Sequence, residues 1–523
     1  MVSLGTAAIG GIAALCTISW MYGKLTAPGF QVKDKHVFIT GGSSGLGLAL
    51  AKRYARASAK VSIIARDAKT LASATREIES WASSDAVAHP VFARPCDVTD
   101  LAAVRETITE ANTFHGRVTD HVVCNAGHFE PGLLLEQDSS ISRKTMDINY
   151  FGTLHTVQAA LPHMINTPLD AKEPNRRVIF VASLAALTTF IGYSSYASSK
   201  FAVRGLSEAL RNELQLYGIE TSIFYPGKIQ TPMIDREFPM KPAAAEEEDL
   251  IVQNGKESSM QYKSWLYGEL VAPGFKVANR HVFITGGSSG LGLALAKQYA
   301  RSGAKVSIVA RNAKSLANAK REIESRVSSD ATTHPVFTRV CDVTDLADVE
   351  KAVEEANAFH QRVTDHVICN AGFFEPGLLL EQDPSMYRKT MDVNFFGSYH
   401  TVKATLPHMV KTPLNRDEPK RRVIFVASAG SLATIVGYGS YASSKYALPD
   451  TAARALIHGL SSGYYAITLD PISEMLRITG NGIPQRNNLM LEVLLLPFLA
   501  LMQVPQRWYS DWVVRSDVKK TTQ

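Results

Sequence analysis

The sequence of 523 residues predicts an α/β protein with two doubly wound parallel sheets in tandem. Three observations lead to this prediction. The apolar run His36–Thr40 passes through a glycine-rich turn into a helical pattern, as the first strand, loop and helix of such a sheet do. Further apolar runs, among them Lys60–Ala65 and Val178–Ala182, alternate with helical patterns and predict buried parallel strands. Residues 19 to about 203 then recur at a constant offset of 245 positions, without insertion or deletion.

The turn after the first strand has the composition of a phosphate-binding loop. Its glycines permit a tight turn, a close backbone approach to a pyrophosphate and close helix packing. The cofactor-binding residues predicted from this turn are Gly41, Gly45 and Gly47. The second strand ends at Arg66, where an acidic residue would bind the ribose of NAD and an arginine suits a 2′-phosphate. With Lys69 as a second cation, this pattern predicts NADP(H).

A serine, a tyrosine and a lysine are spaced so that they can surround one reacting oxygen. Ser183 follows the apolar run 178–182, so its hydroxyl should lie at the carboxyl end of a strand, where open α/β sheets bind ligands. Tyr196 and Lys200 are four residues apart, which places the phenol and the ammonium on one face of a helix. A cation beside a phenol favours the phenolate and lowers the pKa of the phenol towards the range used in acid–base catalysis.

Seven short motifs resemble, in order and spacing, those of the short-chain dehydrogenase/reductase family. They are Thr40-Gly-Gly-Ser-Ser-Gly-Leu-Gly, Asp97-Val98, Asn125-Ala-Gly, Asn149, Ser183, Tyr196-x-x-x-Lys200 and Tyr225-Pro-Gly. The resemblance implies a Rossmann-like fold in which Tyr196 donates a proton to a carbonyl and Ser183 is its hydrogen-bonding partner. It also implies that Lys200 assists the phenol electrostatically and that Asn149 completes a proton relay.

The same resemblance completes the predicted cofactor site of the first unit, because the family's glycine-serine motif maps onto Gly41, Ser43, Ser44 and Gly45. It implies that Asp97, followed by Val98, contacts the adenine and that Lys200, beside Tyr196, binds the ribose. Asn125 belongs to this set as well, although its motif is expected mainly to support the sheet. We therefore expect NADPH as the cofactor and no metal.

Charge and cysteine usage exclude other classes. Lys plus Arg number 55 against 49 Asp plus Glu, a net charge of +6 without a basic block, so nucleic acid is not an expected partner. The 5 cysteines have no metal-ligand spacing, and their odd number argues against a disulfide framework. These features fit a reducing environment that faces the cytosol.

Residues 1–23 predict a membrane anchor. They contain no charged side chain, and the segment Val2–Tyr22 would form a helix of about 31 Å, close to the thickness of a bilayer core. Lysines follow the segment and none precedes it, which places the rest of the chain in the cytosol and argues against a cleaved signal peptide. A membrane hairpin or an interfacial helix is the alternative.

The repeat divides the chain into a first domain at 27–240, a polar linker at 241–270 and a second domain at 272–447. The second domain repeats the predicted site. Its catalytic counterparts are Asn394, Ser428, Tyr441 and Lys445. Its cofactor-binding counterparts are Gly286, Ser288, Ser289, Gly290, Gly292, Arg311, Lys314 and Asp342.

The two copies end differently. The second has no counterpart of the residues from Arg204 to about Lys241, so it should lack most of a core helix and a strand and leave a sheet edge open. We therefore expect the first unit to hold the better catalytic site. An incorrectly joined gene sequence is the alternative explanation.

Residues 448–523 form a predicted tail. It contains a helical pattern at Thr451–Leu460, a strand pattern at Tyr464–Leu469 and an apolar run at Val493–Met502. The helix and strand would complete the sheet or lid of the first unit. The apolar run, too short to span a bilayer, would either dip into a membrane or form a core helix.

Over nearly the full length of each unit, the chain looks most like the 3-ketodihydrosphingosine reductases of fungi. The likeness rests on the N-terminal apolar segment and on the sequences His36–Gly47, Ile64–Arg66, Lys200–Arg211 and Pro484–Asn488. It implies NADPH-dependent reduction of the 3-keto group of 3-ketodihydrosphingosine to dihydrosphingosine, in sphingolipid biosynthesis. It further implies an endoplasmic reticulum membrane protein with its catalytic domains in the cytosol.

Two alternatives stay open. The chain could be another membrane-associated enzyme of the same family that acts on a steroid, a retinoid or another lipid carbonyl. It could also be a weakly active NADPH-binding membrane scaffold in which the two copies pair with each other. A homodimer is the alternative to pairing within the chain.

Overall fold

A computed structural model describes most of both repeated units. The described residues are 32–82, 89–169, 175–187, 192–227, 229, 231, 277–325, 334–413, 418, 421–428 and 436–447. The predicted anchor at 1–23, the linker at 241–270 and the tail at 448–523 lie outside the described residues. Over the ranges described, no helix is both long enough and apolar enough to cross a membrane.

The first unit is a six-stranded parallel sheet with helices between its strands. Its strands are β1 (His36–Thr40), β2 (Lys60–Ala65), β3 (Phe92–Pro95), β4 (His121–Cys124), β5 (Arg177–Val181) and β6 (Glu220–Phe224). Its helices are α1 (Gly45–Arg56), α2 (Ala68–Ala82), α3 (Leu101–His115), α4 (Ser139–Met146), α5 (Gly152–Asn166) and α6 (Ser194–Leu214). The strand order is β3-β2-β1-β4-β5-β6.

The second unit repeats this plan up to its fifth strand. Its strands are β7 (His281–Thr285), β8 (Lys305–Ala310), β9 (Phe337–Val340), β10 (His366–Cys369) and β11 (Arg422–Phe425). Its helices are α7 (Gly290–Arg301), α8 (Ala313–Glu324), α9 (Leu346–His360), α10 (Pro384–Met391), α11 (Gly397–Lys411) and α12 (Gly439–Tyr446). The strand order is β11-β10-β7-β8-β9, so the predicted tandem pair of parallel α/β units is confirmed.

The crevice of the first unit is set by the point at which its strand order reverses. Strand β1 pairs in parallel with β2 on one side and with β4 on the other. All five residues of β1 are buried, as expected for a central strand that helices cover on both faces. Ligands bind at the carboxyl ends of the strands beside such a reversal, which is where the glycine loop leaves β1.

Helix α6 confirms the predicted helical placement of Tyr196 and Lys200. It begins at Ser194 and runs for 21 residues to Leu214. Its counterpart α12 has only 8 residues and ends at Tyr446. In the first unit, β5 is covered on its outer edge by β6, whereas no described strand pairs with the outer edge of β11. The predicted open edge is thus present in the part of the second unit that the structure describes.

The two units contact each other through α4–α6 of the first and α10–α12 of the second. Helices α6 and α12 pack together, and one hydrophobic cluster includes Leu206 and Leu210 of the first unit with Tyr387 and Met391 of the second. The core of the first unit therefore continues into the second.

Candidate active site

The glycine loop leaves no room for a side chain at Gly42 or Gly47. Gly41 and Gly45 have φ angles of 65° and 52°, in the left-handed region that favours glycine. A Cβ atom on Gly42 would lie 2.6 Å from Cγ2 of Ile63, and one on Gly47 would lie 2.2 Å from the carbonyl oxygen of Gly41. The loop and the start of α1 are therefore held close to β1 and β2, with backbone exposed towards the crevice. Gly42 was not among the predicted residues, although its position inside the motif could have identified it.

A cleft of about 570 Å³ lies at the carboxyl ends of these strands. Most of the predicted site residues line it, namely Gly41, Ser43, Ser44, Gly45, Arg66, Asp97, Val98, Asn125, Ser183, Tyr196 and Lys200. Three other predicted residues, Gly47, Lys69 and Asn149, do not line it. Gly47 acts through packing, Lys69 is exposed on α2, and Asn149 is buried behind the cleft wall.

The lysine of the predicted pair is almost fully buried. Lys200 is 4% exposed, and its Nζ donates a hydrogen bond to the carbonyl oxygen of Val181, the last residue of β5, at 3.0 Å. The same Nζ lies 5.7 Å from the ring centroid of Tyr196. Burial penalises the charged form and lowers the pKa of Lys200 to about 8. An ammonium therefore stands beside the phenol at neutral pH.

Asn149 lies on a π turn, Asp147–Phe151, between α4 and α5. Its Nδ2 donates to the carbonyl oxygen of His128 at 2.9 Å and to Oγ of Ser199 at 2.8 Å, and its Oδ1 accepts from the backbone N–H of His128 at 2.6 Å. A Cβ atom on Gly127 would lie 3.5 Å from Oδ1 of Asn149 and 3.7 Å from Nζ of Lys200. The amide and the ammonium therefore both border the backbone at Gly127.

Ser183 and an aromatic residue complete the reacting end of the cleft. Ser183 follows β5 in extended backbone, and its Oγ accepts from the backbone N–H of Ala185 at 3.2 Å. Accepting this bond leaves the hydroxyl proton of Ser183 available to another acceptor. Phe129 packs edge-on against Tyr196, with ring centroids 4.7 Å apart. Phe129 was missed in the sequence because a single aromatic residue in a loop gives no positional signal.

Asn125 has a clear structural role. Its Nδ2 donates to the carbonyl oxygens of Thr40 and Gly41 at 3.0 Å and 3.1 Å. Oγ1 of Thr40 in turn accepts from the backbone N–H groups of Asn125 and Ala126, both at 3.0 Å. These bonds tie the end of β4 to the start of the glycine loop, as the expected sheet-supporting role requires.

The far end of the cleft carries a cation and a carboxylate that already accepts a hydrogen bond from the backbone. Arg66 is exposed at the end of β2 and lines the cleft together with Asp67 and Thr70. The carboxylate of Asp67 accepts the backbone N–H of Thr70 at 2.7 Å, and this hydrogen bond is the main reason why the pKa of Asp67 is lowered. The acidic neighbour of Arg66 thus serves as a helix cap.

The second unit repeats the local geometry of three residues predicted to be catalytic, Asn394, Tyr441 and Lys445. Nζ of Lys445 donates to the carbonyl oxygen of Val426 at 2.9 Å and lies 5.8 Å from the ring centroid of Tyr441. Asn394 makes the three hydrogen bonds of Asn149, to both backbone groups of Phe373 and to Ser444.

The wall of the cleft differs between the units. A Cβ atom on Gly45 would lie 3.1 Å from Cγ2 of Thr231, a residue that the sequence analysis did not place in the site. A Cβ atom on the equivalent Gly290 would meet no atom of the described residues within 4 Å. Pro226, Gly227 and Thr231, which line the first cleft, have no counterpart among the described residues of the second unit.

Thiol and metal chemistry find no support in the described ranges. The cysteines there, Cys96, Cys124, Cys341 and Cys369, are all buried and free. Burial raises the pKa of the Cys124 thiol, which keeps it protonated. Over the same ranges, no group of three His, Cys, Asp or Glu side chains is placed to hold a metal ion.

Comparison with known proteins gives one family and one recurring activity. The short chain dehydrogenase family profile matches residues 35–242 and 280–460. A 3-ketodihydrosphingosine reductase of Dictyostelium discoideum is 33% identical over 253 residues, 47% of this chain and 73% of that protein. Enzymes with the same description from Cryptococcus neoformans and Mus musculus are 35% and 32% identical, over 41% and 45% of this chain and 62% and 69% of their own lengths. Since the profile matches both units, the chain belongs to the short-chain dehydrogenase family and carries two copies of its domain.

Proposed function

We propose that the first unit reduces the 3-keto group of 3-ketodihydrosphingosine to a hydroxyl with NADPH, giving dihydrosphingosine. The observation that carries this proposal is that Tyr196, Lys200 and Ser183 line one cleft with the glycine loop. The relatives that bear this activity in their names supply the substrate.

The shape of the cleft suits a nicotinamide dinucleotide. The loop from Gly41 to Gly47 is a backbone cradle that added Cβ atoms would fill, and it leads into the N-terminus of α1, which favours a pyrophosphate. Asp97 and Val98 line the part of the cleft assigned to the adenine, and Lys200 lies within reach of a ribose near Tyr196.

NADPH is favoured over NADH by Arg66. Its guanidinium is exposed at the cleft, where a 2′-phosphate would find a bidentate partner. Asp67, the nearest carboxylate in sequence, accepts the backbone N–H of Thr70 at the start of α2, which holds one of its oxygens at the helix. Lys69 is exposed one turn away and adds positive charge.

In the reaction, a bound nicotinamide supplies the hydride that reduces the carbonyl carbon. Tyr196 gives its phenolic proton to the carbonyl oxygen, so that the ketone becomes a secondary alcohol. Ser183 donates a hydrogen bond to the same oxygen while negative charge develops there. Lys200 stabilises the phenolate that remains, because its ammonium is held beside the ring by the bond to Val181. Asn149 fixes the backbone at His128, whose neighbour Gly127 borders Lys200, and in the proton relay that the family resemblance implies it would help to return a proton to the phenolate.

We further propose that residues 1–23 anchor the chain in the endoplasmic reticulum membrane with both units in the cytosol. A long-chain substrate partitions into a bilayer, and an enzyme held at its surface meets the substrate there. The uncharged segment and the lysines after it support this proposal.

The test is turnover by the purified full-length chain. Incubation with 3-ketodihydrosphingosine should consume NADPH and yield dihydrosphingosine, detected by mass spectrometry, and NADH should support much less product. Preferential turnover of steroid or retinoid ketones would contradict the proposed substrate. Binding of NADPH without turnover of any carbonyl would contradict the proposed enzymatic activity and favour the scaffold hypothesis.

A further inference from the structure

We propose that Arg388 of the second unit is a positioning residue for the active site of the first, because it holds both ends of the turn that carries Asn149. The second unit then serves as a built-in partner of the first, although no described residue of the second unit forms the cleft wall that Pro226 and Thr231 provide in the first. The inference rests on the proposed function, since positioning matters only where the first unit does chemistry.

Arg388 lies on α10 and reaches across to the π turn Asp147–Phe151. Its Nη1 forms an ion pair with Oδ1 of Asp147, and its Cζ lies 3.5 Å from the ring centroid of Phe151. These contacts fall on the first and last residues of the turn, and Asn149 is the residue at its centre. One guanidinium therefore bridges the two ends of the turn.

The turn is a place where small shifts matter. Asn149 is fully buried and makes hydrogen bonds between 2.6 Å and 2.9 Å with His128 and Ser199. A π turn widens the helix locally and occurs often at functional sites. Movement of either end of the turn would lengthen these bonds and shift the backbone that borders Lys200.

Helix α10 offers a firm base for Arg388. Its neighbours Tyr387 and Met391 are fully buried in the cluster shared with the first unit. The backbone N–H of Leu379, in the loop before α10, donates to Oε2 of Glu213 at 2.9 Å, across the same interface. The side chains of Arg388 and Asp147 are 37% and 28% exposed, so solvent screens the attraction between their charges. The ion pair therefore contributes little to stability, and its main effect is to orient the turn.

The chain contains its own matched control for this contact. Arg143, the repeat counterpart of Arg388, forms an ion pair with Oδ1 of Asp392 and lies 3.6 Å from the ring centroid of Phe396. The two contacts are reciprocal, as across a two-fold axis. Arg143, however, holds the turn that carries Asn394, in the unit whose cleft lacks the residues corresponding to Pro226 and Thr231.

The experiment compares Arg388→Ala with Arg143→Ala in the full-length chain. Each variant removes one ion pair and one stacked guanidinium from the same interface, so thermal unfolding should shift equally. We expect Arg388→Ala to lower kcat about tenfold with little change in the KM for NADPH, since a displaced catalytic group costs rate rather than binding. Arg143→Ala should retain wild-type kcat, and Arg388→Lys, which keeps the charge, should recover part of the loss.

Hydrogen exchange gives a second measurement that does not need turnover. In Arg388→Ala, the amides of residues 147–151 should lose protection, and in Arg143→Ala those of 392–396 should. Equal kcat values in the two alanine variants, or unchanged protection of 147–151 in Arg388→Ala, would overturn the positioning role. Absence of carbonyl reduction by the wild-type chain would instead contradict the proposed function and leave the exchange result to decide this inference.

Discussion

Lys200 shows how burial prepares a single residue for its role. Its ammonium donates a hydrogen bond to the carbonyl oxygen of Val181 and lies near the phenol of Tyr196. The side chain of Lys200 is almost fully buried. The same burial that lowers the pKa of Lys200 keeps the charge close enough to act on Tyr196.

Replacement of Tyr196 tests the chemistry at this scale. Tyr196→Phe should lower kcat by about 10²- to 10⁴-fold, because it removes the proton donor and keeps the ring that packs on Phe129. Steady-state NADPH oxidation with the lipid ketone measures the effect. Tyr441→Phe is the matched control and should leave kcat unchanged. If Tyr441→Phe abolished turnover and Tyr196→Phe did not, the second unit would be the active one.

The lowered pKa of Lys200 predicts a pH dependence. The ammonium is present below the folded-state pKa of about 8 and is lost as the pH rises through it, so the rate of ketone reduction should fall on the alkaline side with a midpoint near 8. The measurement is kcat from about pH 6 to about pH 11, a range that brackets this value and the ordinary lysine pKa of about 10.4. Lys200→Arg, which stays charged, should shift the fall in residual activity to higher pH. If the midpoint of the alkaline fall in kcat did not move in Lys200→Arg, the fall would be due to the titration of another group.

At the scale of elements, the glycine loop could be predicted from the sequence, whereas the π turns could not. The strand, loop and helix around Gly41 were predicted because glycine spacing reflects backbone conformation directly. The π turn at Asp147 has no comparable signature, so Asn149 could be identified only through the family resemblance.

Substitution in α1 tests the role of close packing. A Cβ atom on Gly47 would contact backbone, so Gly47→Ala should cost about 1–3 kcal/mol of stability. It should also weaken NADPH binding, because the loop must move. Gly292→Ala meets a similar clash, 2.4 Å from the carbonyl oxygen of Gly286, and should lower stability without affecting kcat. Thermal unfolding and NADPH titration measure the two effects, and a loss of kcat in Gly292→Ala would show that the second loop takes part in turnover.

At the scale of the whole molecule, the domain is duplicated but the second copy has no counterpart of the residues from Arg204 to about Lys241. We therefore expect the two units to differ in cofactor binding and catalysis. Both units have the glycine loop and the Asn–Tyr–Lys geometry, but only the first has Pro226, Gly227 and Thr231 as a described wall. The units also share a core through α6 and α12, which makes the second unit part of the environment of the first.

This inequality should appear in the binding stoichiometry. Calorimetric titration of the full-length chain with NADPH should show one tight site, and Gly47→Ala should weaken that site. Any binding to the second unit should be weaker, since none of its described residues forms a counterpart of the wall at Pro226, Gly227 and Thr231. Two sites of equal affinity would contradict this expectation.

The sequence by itself determined the duplication, the parallel α/β fold of each unit and the neighbouring positions of Tyr196 and Lys200. These follow from local chemistry: apolar runs form buried strands, glycines mark positive φ angles, and a spacing of four residues places Tyr196 and Lys200 on one helix face. Only the tertiary structure decided how far Lys200 is buried, that Phe129 and Thr231 border the site, and that Arg388 meets the turn of Asn149. Such contacts join residues far apart in the chain, and their geometry depends on how helices pack, which no local pattern encodes.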